Sequence, residues 1–377
     1  MKAHQSGQKS RCHRVYVVLV NWNSWQHTIT CLESLFRQDY APWRVVVCDN
    51  GSTDGSLEKI QTWANGLLHC GVAVSCLLKP LVYPPVPKPV TYVTYTKEEA
   101  ERGGNPEPNT PPLVLIQVGE NAGYSGGNNV ALRYIRRRGD YEYIWILNND
   151  TIVCPDALSI LVDKLRNVSN IGICGATLVY QHAPTRIQTR GGSTYVPWLG
   201  RTRHIGALEH LSMPAYEPDI EAKMACVSGA CMLVTKRFVQ QVGLLSEIYF
   251  LYFEELDWAL RAKSYGYALA YASQAIIYHK EGASIGGGNR DRDHKSWLAD
   301  YYEVRNRLVV SRKFYPWAVP TVCLALIGTL MNRIRRRQWR RIGMVFKGVI
   351  DAFSVALDTA SDTSTKRARG NGQEPDR

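Results

Sequence analysis

Apolar runs of strand length alternate with helical segments in the first part of the chain. Residues 15–20, 44–48 and 113–118 are apolar and rich in β-branched side chains, and each run ends in a polar loop that precedes residues with helical spacing. Successive strand, loop and helix units are typical of parallel sheets whose helices cover both faces. The pattern therefore predicts an α/β fold with a doubly wound, mostly parallel sheet.

A further apolar run, residues 143–147, ends abruptly in Asn148, Asn149 and Asp150. Ligands of open α/β sheets bind at the carboxyl ends of the strands, so this position would present Asp150 to a ligand. The alternative is that Asp150 or Thr151 caps the helix that follows. This stretch alone favours neither interpretation.

The polar loop at residues 119–129 is rich in glycine and asparagine, including Gly126, Gly127 and Asn128. Small residues let backbone approach a ligand closely, and amide groups at the start of a helix bind phosphate. A glycine-rich turn without a ligand is equally consistent with the composition. The spacing departs from the G-x-G-x-x-G dinucleotide fingerprint, which disfavours a nicotinamide-dependent enzyme.

Three acids follow a bulky run near the end of the alternating pattern. Residues 249–253 are aromatic or apolar and lead into Glu254, Glu255 and Asp257, in the first turn of a predicted helix. Acids stabilise the start of a helix, so one interpretation is that these three residues have a purely structural role. A carboxylate beside apolar residues also gains proton affinity, which suits a general base. His279, after another strand-like run, is either a ligand or a structural hydrogen-bonding residue.

Composition narrows the class of protein. The 377 residues are 45% hydrophobic and 21% charged, which suits a globular protein and excludes wholesale disorder or a polytopic membrane protein. The net charge of +12 indicates an anionic partner such as a nucleotide, a nucleic acid or an acidic membrane. The cysteines include no C-x-x-C pair, and residues 15–20 are too short for a signal peptide or a membrane span. We therefore expect buried free thiols in a cytoplasmic protein.

Six motifs occur in one order along residues 14–310. They are Asn21-Trp22-Asn23, Asp49-Asn50-Gly51-Ser52-Thr53-Asp54, Asn121-Ala122-Gly123-Tyr124-Ser125-Gly126-Gly127-Asn128-Asn129, Asn148-Asn149-Asp150, Phe253-Glu254-Glu255-Leu256-Asp257 and His279-Lys280-Glu281-Gly282. This set resembles the family 2 glycosyltransferases of the GT-A fold, especially their bacterial rhamnosyltransferase-like branch. The resemblance implies an inverting enzyme of cell-surface polysaccharide assembly. It would transfer a sugar, with rhamnose favoured, from a dTDP or UDP donor to a saccharide or lipid-linked acceptor.

The resemblance also implies roles for individual residues. Asp49 would accept a hydrogen bond from N3–H of uracil or thymine. The other donor-binding residues would be Asn21, Asn121, Gly126, Gly127, Asn128 and Asn149. Asp150 and His279 would bind Mg²⁺ or Mn²⁺, although Asn148 replaces the first acid of the D-x-D motif. Glu255 would be the catalytic base, in a position where the family usually has aspartate, with Asp257 as the second candidate.

The chain is predicted to contain a basic polar tail at 1–14, a GT-A catalytic domain at 15–312 with a proline-rich extended insertion at 80–112, a helical basic region at 313–357 and a disordered tail at 358–377. Residues 317–331 are apolar and residues 332–341 are rich in arginine. This order predicts a segment that lies on an anionic membrane and keeps the protein peripheral on the inner face of the cytoplasmic membrane. Packing on the catalytic domain or a dimer partner is the alternative.

Two other functional classes stay open. A nucleotide-sugar-binding protein without activity would need the same acids only for their charge. A nucleic-acid-binding protein would use the basic excess, but no known module is visible, so we expect no nucleic-acid partner. The sequence leaves homo-oligomerisation open.

Overall fold

The computed structural model describes residues 13–69, 74–105, 110–166, 168, 170–280 and 297–357. The predicted tails at 1–14 and 358–377 lie almost wholly outside the described residues, as do Glu281 and Gly282 of the last motif.

The described strands and helices alternate along the chain. The strands are β1 (Val15–Asn21), β2 (Trp43–Asp49), β3 (Tyr92–Thr96), β4 (Leu113–Gln117), β5 (Tyr143–Asn148), β6 (Thr151–Val153), β7 (Ile171–Tyr180), β8 (Ala183–Arg190), β9 (Gly192–Val196), β10 (Arg201–His204), β11 (Cys226–Val227), β12 (Cys231–Thr235) and β13 (Ala268–His279). The helices are α1 (Trp25–Leu35), α2 (Ser56–Ala64), α3 (Lys79–Val82), α4 (Lys97–Glu101), α5 (Gly123–Arg138), α6 (Ala157–Arg166), α7 (Glu217–Lys223), α8 (Lys236–Val242), α9 (Glu254–Ser264), α10 (Trp297–Phe314), α11 (Val319–Arg335) and α12 (Trp339–Ser354).

Within the described residues one sheet has ten strands, in the order β3-β4-β2-β1-β5-β12-β7-β13-β6, with β8 paired to β7. The pairs β3–β4, β4–β2, β2–β1, β1–β5 and β7–β13 are parallel. Strand β12 is antiparallel to both of its neighbours. A smaller sheet has the order β10-β9-β11.

Successive side chains of β1 point to opposite faces of the large sheet. Helices pack against both of these faces. Val15, Val17 and Leu19 belong to the same buried core as the apolar side chains of α1 and α6. On the other face the Tyr16 ring lies 6.5 Å from that of Tyr134 in α5. Burying a leucine or isoleucine side chain stabilises a fold by about 1.5–3 kcal/mol, so this core holds the strand ends in place.

The mostly parallel α/β sheet confirms the predicted fold class, with local differences. Residues 73–78 have the composition of a strand, but the described part of this run, 74–78, contains a turn before α3. The insertion is not entirely extended, because it contains α4 and overlaps α3. Its residues 90–96 have the composition of a hairpin arm, but residues 92–96 form an edge strand parallel to β4. The glycine-containing region around residues 191–200 suggests loops, but residues 183–204 contain three strands. In the last two cases pairing with another strand, which local composition does not reveal, decides the structure.

The chain divides into two compact units. The first comprises residues 1–195 and 202–296, and the second comprises 196–201 and 297–377. Helix α10 belongs to the second unit, although the sequence placed the end of the catalytic domain at residue 312. The helical segment Pro316–Arg335 has the length and mean hydropathy of a membrane span, by composition alone.

The described cysteines are free thiols, and Cys31, Cys48, Cys174, Cys226 and Cys231 are buried. Burial raises the pKa of Cys31 and Cys48 to about 12. These thiols therefore stay protonated and pack as small apolar groups.

Candidate active site

Three parallel strands end together at one edge of the large sheet. Asn21 at the end of β1 pairs with Asp49 at the end of β2, and Val20 pairs with Asn148 at the end of β5. The motifs that follow these strands therefore meet, although more than one hundred residues separate the first from the last. This is the edge at which open α/β sheets bind ligands.

A buried polar network holds Asp49. Asn21 Nδ2 donates to Asp49 Oδ1 at 2.8 Å, and the Ser52 amide donates to Asp49 Oδ2 at 3.3 Å. Thr28 Oγ1 donates to Asn21 Oδ1 at 2.8 Å, and Asn149 Nδ2 donates to Thr28 Oγ1 at 2.9 Å. Because Asn21 is fully buried and Asn149 nearly so, both amides orient Asp49 and the strand ends. Ser52 belongs to the second motif but was given no role there, and Thr28 carries no sequence signal beyond its position after the first motif.

The glycine-rich segment is largely helical. Helix α5 begins at Gly123, so Gly126, Gly127 and Asn128 lie inside its first turns and are buried. A Cβ on Gly127 would lie 2.9 Å from Val20 Cγ1, which is closer than real Cβ contacts allow. The expectation of a loop through residue 129 is therefore wrong, because these small residues let α5 pack closely on β1.

Side chains and carbonyl groups of the protein occupy the first amide groups of α5. The Gly123 amide donates to Asn121 Oδ1 at 3.0 Å, and the Tyr124 amide donates to the Phe250 carbonyl at 2.8 Å. Asn50 Nδ2 donates to Asn121 Oδ1 at 3.0 Å and thereby connects the β2 end to this turn. The Gly123 and Tyr124 amides thus bond within the protein, and phosphate binding by this segment stays a prediction. Asn50 is a positioning residue that its place directly after Asp49 could have indicated.

Asp150 and His279 form a close pair. Asp150 lies in the turn between β5 and β6, and β6 pairs with the end of β13, which ends at His279. His279 Nε2 lies 3.1 Å from Asp150 Oδ1 and 3.3 Å from Asn148 Nδ2. His279 Nδ1 lies 2.9 Å from Gln188 Oε1, and since a carbonyl oxygen only accepts, Nδ1 is the nitrogen that carries the hydrogen.

This arrangement fits a cation site. Gln188 orients the imidazole so that Nε2 faces the Asp150 carboxylate, and an imidazole nitrogen beside a carboxylate is a common pair of metal ligands. An outer carbonyl that fixes the ring of a metal-binding histidine is a common device. No cluster of three or more His, Cys, Asp or Glu side chains that could hold a metal occurs in the described part of the chain. Asp150 and His279 would therefore supply part of a ligand set.

His27 and Lys280, which the sequence analysis did not select, flank Asp150. Lys280 Nζ lies 2.7 Å from His27 Nε2, and the Lys280 amide donates to the Asp150 carbonyl at 3.1 Å. Burial and the Lys280 charge lower the pKa of His27, and Asp150 partly opposes them. The histidine is therefore predominantly neutral, and the ammonium group supplies positive charge beside Asp150.

A strained turn sets the start of α9. Tyr252 has a φ of 69° and Phe253 a φ of 72°, a left-handed conformation that is costly for bulky residues. Phe250, two residues before Tyr252, lies close to the start of α5, because a Cβ on Gly123 would lie 2.3 Å from the Phe250 carbonyl oxygen. Such strain often marks functional positions, and here it places Glu254 and Glu255 in the first turn of α9.

Glu254 and Glu255 are adjacent carboxyl groups in a desolvated environment. In the part of the chain that the structure describes, the buried Oε2 atoms of both side chains have no hydrogen-bond partner. Burial raises the pKa of both groups, and the Glu255 charge raises the pKa of Glu254 further. The pair therefore holds a proton at a higher pH than an exposed glutamate does.

Asp257, the second candidate base, is fully buried, and its Oδ1 accepts from Arg261 Nε at 2.6 Å. Arg261 also donates to the carbonyl groups of Val242 and Leu244. The Asp257 contact thus holds α9 against the preceding loop, which is a structural task.

Tyr124, near the start of α5, is bound to the turn at residues 228–230. Burial raises the pKa of Tyr124 well above its usual value, and the charges of Glu254 and Glu255 raise it further. Its hydroxyl donates to the Gly229 carbonyl at 2.5 Å, and the neighbouring Ala230 carbonyl accepts from the Asn148 amide at 3.0 Å. The turn at residues 228–230 therefore joins the start of α5 to the end of β5.

The amino-acid sequence matches two protein-family models. Residues 107–297, more than half of the chain, match the family model described as glycosyltransferase like family 2, and residues 16–74 match glycosyl transferase family 2.

Three curated relatives are similar at low identity. The N-acetylglucosaminyl-diphospho-decaprenol L-rhamnosyltransferase of Mycobacterium tuberculosis is 26% identical over 87% of this chain and 97% of the relative. The low-salt glycan biosynthesis hexosyltransferase Agl10 of Haloferax volcanii is 24% identical over 65% of this chain and 73% of the relative. The dTDP-rhamnosyl transferase RfbF of Shigella flexneri is 24% identical over 53% of this chain and 63% of the relative.

Proposed function

The chain belongs to glycosyltransferase family 2, and from this membership we propose that it transfers rhamnose, with inversion, from a nucleoside-diphosphate donor to a saccharide hydroxyl. The predicted family and enzyme class are confirmed by the family matches. The mostly parallel sheet and the helical C-terminal region agree with the predicted GT-A type of fold. The donor, the acceptor and the role of each residue are proposals.

The proposed donor is a dTDP or UDP sugar, with dTDP-rhamnose favoured. Two relatives carry rhamnosyl transfer in their names, and one of them carries dTDP. Asp49, at the sheet edge, is held by Asn21 and by the Ser52 amide. A carboxylate so oriented can accept from N3–H of thymine or uracil, a donor that cytosine and the purine adenine lack in the same position. Asn121 and Asn149 complete the donor side, and Gly126, Gly127 and Asn128 support it by packing.

Asp150 and His279 are the proposed protein ligands of Mg²⁺ or Mn²⁺. Bound there, the ion would supply positive charge to the donor diphosphate. Because the described residues contain no group of three or more suitable side chains, oxygen atoms of the diphosphate would complete the ligand set. His27 and Lys280 place a further positive charge beside Asp150 and favour departure of the nucleoside diphosphate.

Glu255 is the proposed general base. Its ionised carboxylate accepts the proton of the acceptor hydroxyl while that oxygen forms a bond to the anomeric carbon. The bond from this carbon to the diphosphate oxygen breaks, and the electron pair leaves with the nucleoside diphosphate. Attack from the side opposite the leaving group inverts the anomeric centre. The partly desolvated position of Glu255 raises its basicity, which is what removal of a hydroxyl proton requires.

The observation that supports this proposal most directly is the sheet edge at which Asn21 holds Asp49 and Asp150 lies against His279. Glu255, at the start of α9, supplies a base of raised pKa.

A screen of nucleotide sugars by thermal shift, with and without Mg²⁺ or Mn²⁺, tests the donor. A bound donor raises the apparent melting temperature by mass action, and we expect the largest metal-dependent rise with dTDP-rhamnose. A product assay with the stabilising donor then separates an enzyme from an inactive nucleotide-sugar-binding protein. A larger rise with GDP-mannose would contradict the assignment of Asp49 to a pyrimidine base.

The acceptor is proposed to be a saccharide or a lipid-linked saccharide, used in cell-surface polysaccharide assembly. The name of the mycobacterial relative includes such a lipid-linked saccharide. The enzyme is accordingly proposed to be cytoplasmic and peripheral on the inner face of the membrane.

A further inference from the structure

The second unit exposes an apolar stripe along α11 and the 3₁₀ turn before it. Trp317, Leu324, Ile327, Met331 and Ile334 are 53%, 64%, 51%, 65% and 49% exposed. They follow one another at intervals of seven, three, four and three residues, so they share one face of the helix. Large apolar side chains at such exposure on one face require an apolar neighbour.

Helix α12 carries a second stripe of the same kind. Trp339, Phe346, Ile350 and Phe353 are 65%, 55%, 66% and 49% exposed, at intervals of seven, four and three residues. The turn at residues 336–338 joins the two helices. The pair is therefore a helical hairpin with an apolar stripe on each arm.

The other faces of both helices are covered within the second unit. Val322 and Leu326 of α11 are buried, as are Val345 and Ala352 of α12. A Cβ on Gly348 would lie 3.0 Å from the Tyr301 carbonyl oxygen of α10, so α12 packs closely on α10. The exposed stripes are thus additional to a core that is already formed.

The loop at residues 196–201 extends the α11 stripe. The Trp198 ring lies 4.4 Å from the Trp317 ring, and Trp198 and Leu199 are 55% and 44% exposed. These residues come from a turn more than one hundred positions earlier in the sequence. The two stripes and this turn are called the outer apolar surface below; it comprises Trp198, Leu199, Trp317, Leu324, Ile327, Met331, Ile334, Trp339, Phe346, Ile350 and Phe353.

The charge around the outer apolar surface is predominantly positive. Residues 316–350 contain no aspartate or glutamate, while Arg335, Arg336 and Arg337 are exposed at the turn of the hairpin. Asp351, between Ile350 and Phe353, is paired with Lys347 at 2.8 Å. Arg333, by contrast, bonds to Asp300 Oδ1 at 2.9 Å and stabilises the packing on α10. Exposed tryptophans and arginines beside an apolar stripe are what an anionic lipid surface binds.

We propose that the outer apolar surface lies in the plane of an anionic lipid bilayer, with its apolar side chains among the acyl chains and Arg335, Arg336 and Arg337 at the headgroups. The inference deepens the proposed peripheral location by naming the surface that binds. It depends on neither the donor nor the acceptor, so vesicle binding can fail while sugar transfer is demonstrated, and the reverse also holds.

A membrane-spanning α11 conflicts with the packing of the second unit, although the helix is long enough. Its inner face packs on α10, which carries Asp300, Glu303, Arg307 and Arg312. If α11 crossed a bilayer, either these charged side chains would enter the hydrocarbon core or α11 would lose its packing on α10. Both outcomes cost free energy.

A second copy of the chain is also disfavoured as the partner. A twofold interface would bring two copies of this basic surface together, and Arg335, Arg336 and Arg337 of both copies would add to its positive charge.

Co-sedimentation of the full chain with phosphatidylcholine vesicles, with and without phosphatidylglycerol, tests the proposal. We expect binding only to the anionic vesicles, with release by high salt or alkaline extraction. The double substitution Ile327→Glu and Met331→Glu should weaken binding at least about tenfold, because two buried apolar contacts are replaced by charges that anionic lipid repels. Substituting Arg335, Arg336 and Arg337 by Gln should weaken binding about fivefold for each residue.

The matched control is Leu67→Glu with Met213→Glu, which alters apolar residues of the first unit that are 79% and 54% exposed. This control should bind vesicles as the unchanged protein does. Equal binding by all variants would overturn the proposal, as would resistance of the unchanged protein to alkaline extraction, which indicates spanning. Self-association without vesicles that the Ile327 and Met331 substitutions abolish would assign the surface to a second copy.

Discussion

The acids at the strand ends and the acids at the start of α9 stand in opposite environments. Asp49 accepts from Asn21 and Ser52, and Asp150 lies against His279. The Oε2 atoms of Glu254 and Glu255 are buried and lack partners among the described residues. Hydrogen bonds to a carboxylate favour its charged form, whereas burial without partners favours the neutral form. The strand-end acids are thus held in fixed directions by their partners, whereas the helix-start acids are suited to exchange of a proton.

This difference indicates which of the acids suits ligand binding and which suits general base catalysis. Binding a cation or a base edge requires a carboxylate whose charge and direction are fixed in advance, because reorganisation on binding costs affinity. A general base must instead take up a proton near the working pH. Four substitutions, ordered from the largest expected effect to the smallest, test whether this division holds.

Replacing Asp150 by Ala should cause the largest loss. We expect transfer to fall about 10⁴-fold, since charge supplied to a leaving diphosphate by a bound metal is worth several kcal/mol in the transition state. Initial rates over a Mg²⁺ and Mn²⁺ titration measure the effect. The control is Asp156→Ala, which removes an exposed acid that follows β6 in the chain. Full activity of a folded Asp150→Ala protein would remove the metal assignment.

Replacing Glu255 by Gln should lower kcat about 10³-fold with little change in the donor KM, as expected for a base that acts only during transfer. Since burial raises the pKa of Glu255, the acidic limb of the kcat profile should lie above the ordinary pH range of a glutamate, with activity rising as pH rises. Glu254→Gln should keep this limb. Unchanged turnover of Glu255→Gln, together with collapse in Asp257→Asn, would move the role to Asp257.

Replacing Asp49 by Asn should act on donor binding. A hydrogen bond to a charged group is worth about 1.5–3 kcal/mol, so we expect a donor Kd about 10- to 100-fold higher and a nearly unchanged kcat. Isothermal titration with the donor in Mg²⁺ measures the Kd. Asp54→Asn is the matched control, because Asp54 is exposed and bonds only to Ser56 in the described contacts. Equal affinity of both variants would show that Asp49 does not bind the base.

Replacing Glu254 by Gln should produce the smallest effect, on stability. A carboxyl group whose folded pKa is raised stabilises the fold fully below its unfolded pKa, and this contribution is lost as pH rises through the folded pKa. Glu254→Gln should therefore be about 1 kcal/mol more stable than the unchanged protein near pH 8, and nearly equal to it near pH 4. Urea unfolding at both pH values measures the difference. An equal or lower stability near pH 8 would show that Glu254 has a stabilising partner when ionised.

The sequence by itself determined the strand and helix alternation and the places where polar residues follow strands. Residues 15–20, 44–48, 113–118 and 143–147 all lie within or overlap β1, β2, β4 and β5. Their apolar character is a local property, and burial of such runs in a sheet follows from it without knowledge of distant residues. The expectation that Asp49 and Asp150 reach the same sheet edge required only the topology of parallel strands.

Tertiary structure alone decided how each of these side chains is used. His279 meets Asp150 only because β13 pairs antiparallel with β6, and Gln188, from β8, then fixes which ring nitrogen faces the acid. Gly127 is inside a helix because α5 packs against β1, whereas the local composition suggests a loop. Hydrogen-bond partners and close contacts depend on residues far away in the chain, so hydrophobic periodicity predicts where an acid lies but not what holds it.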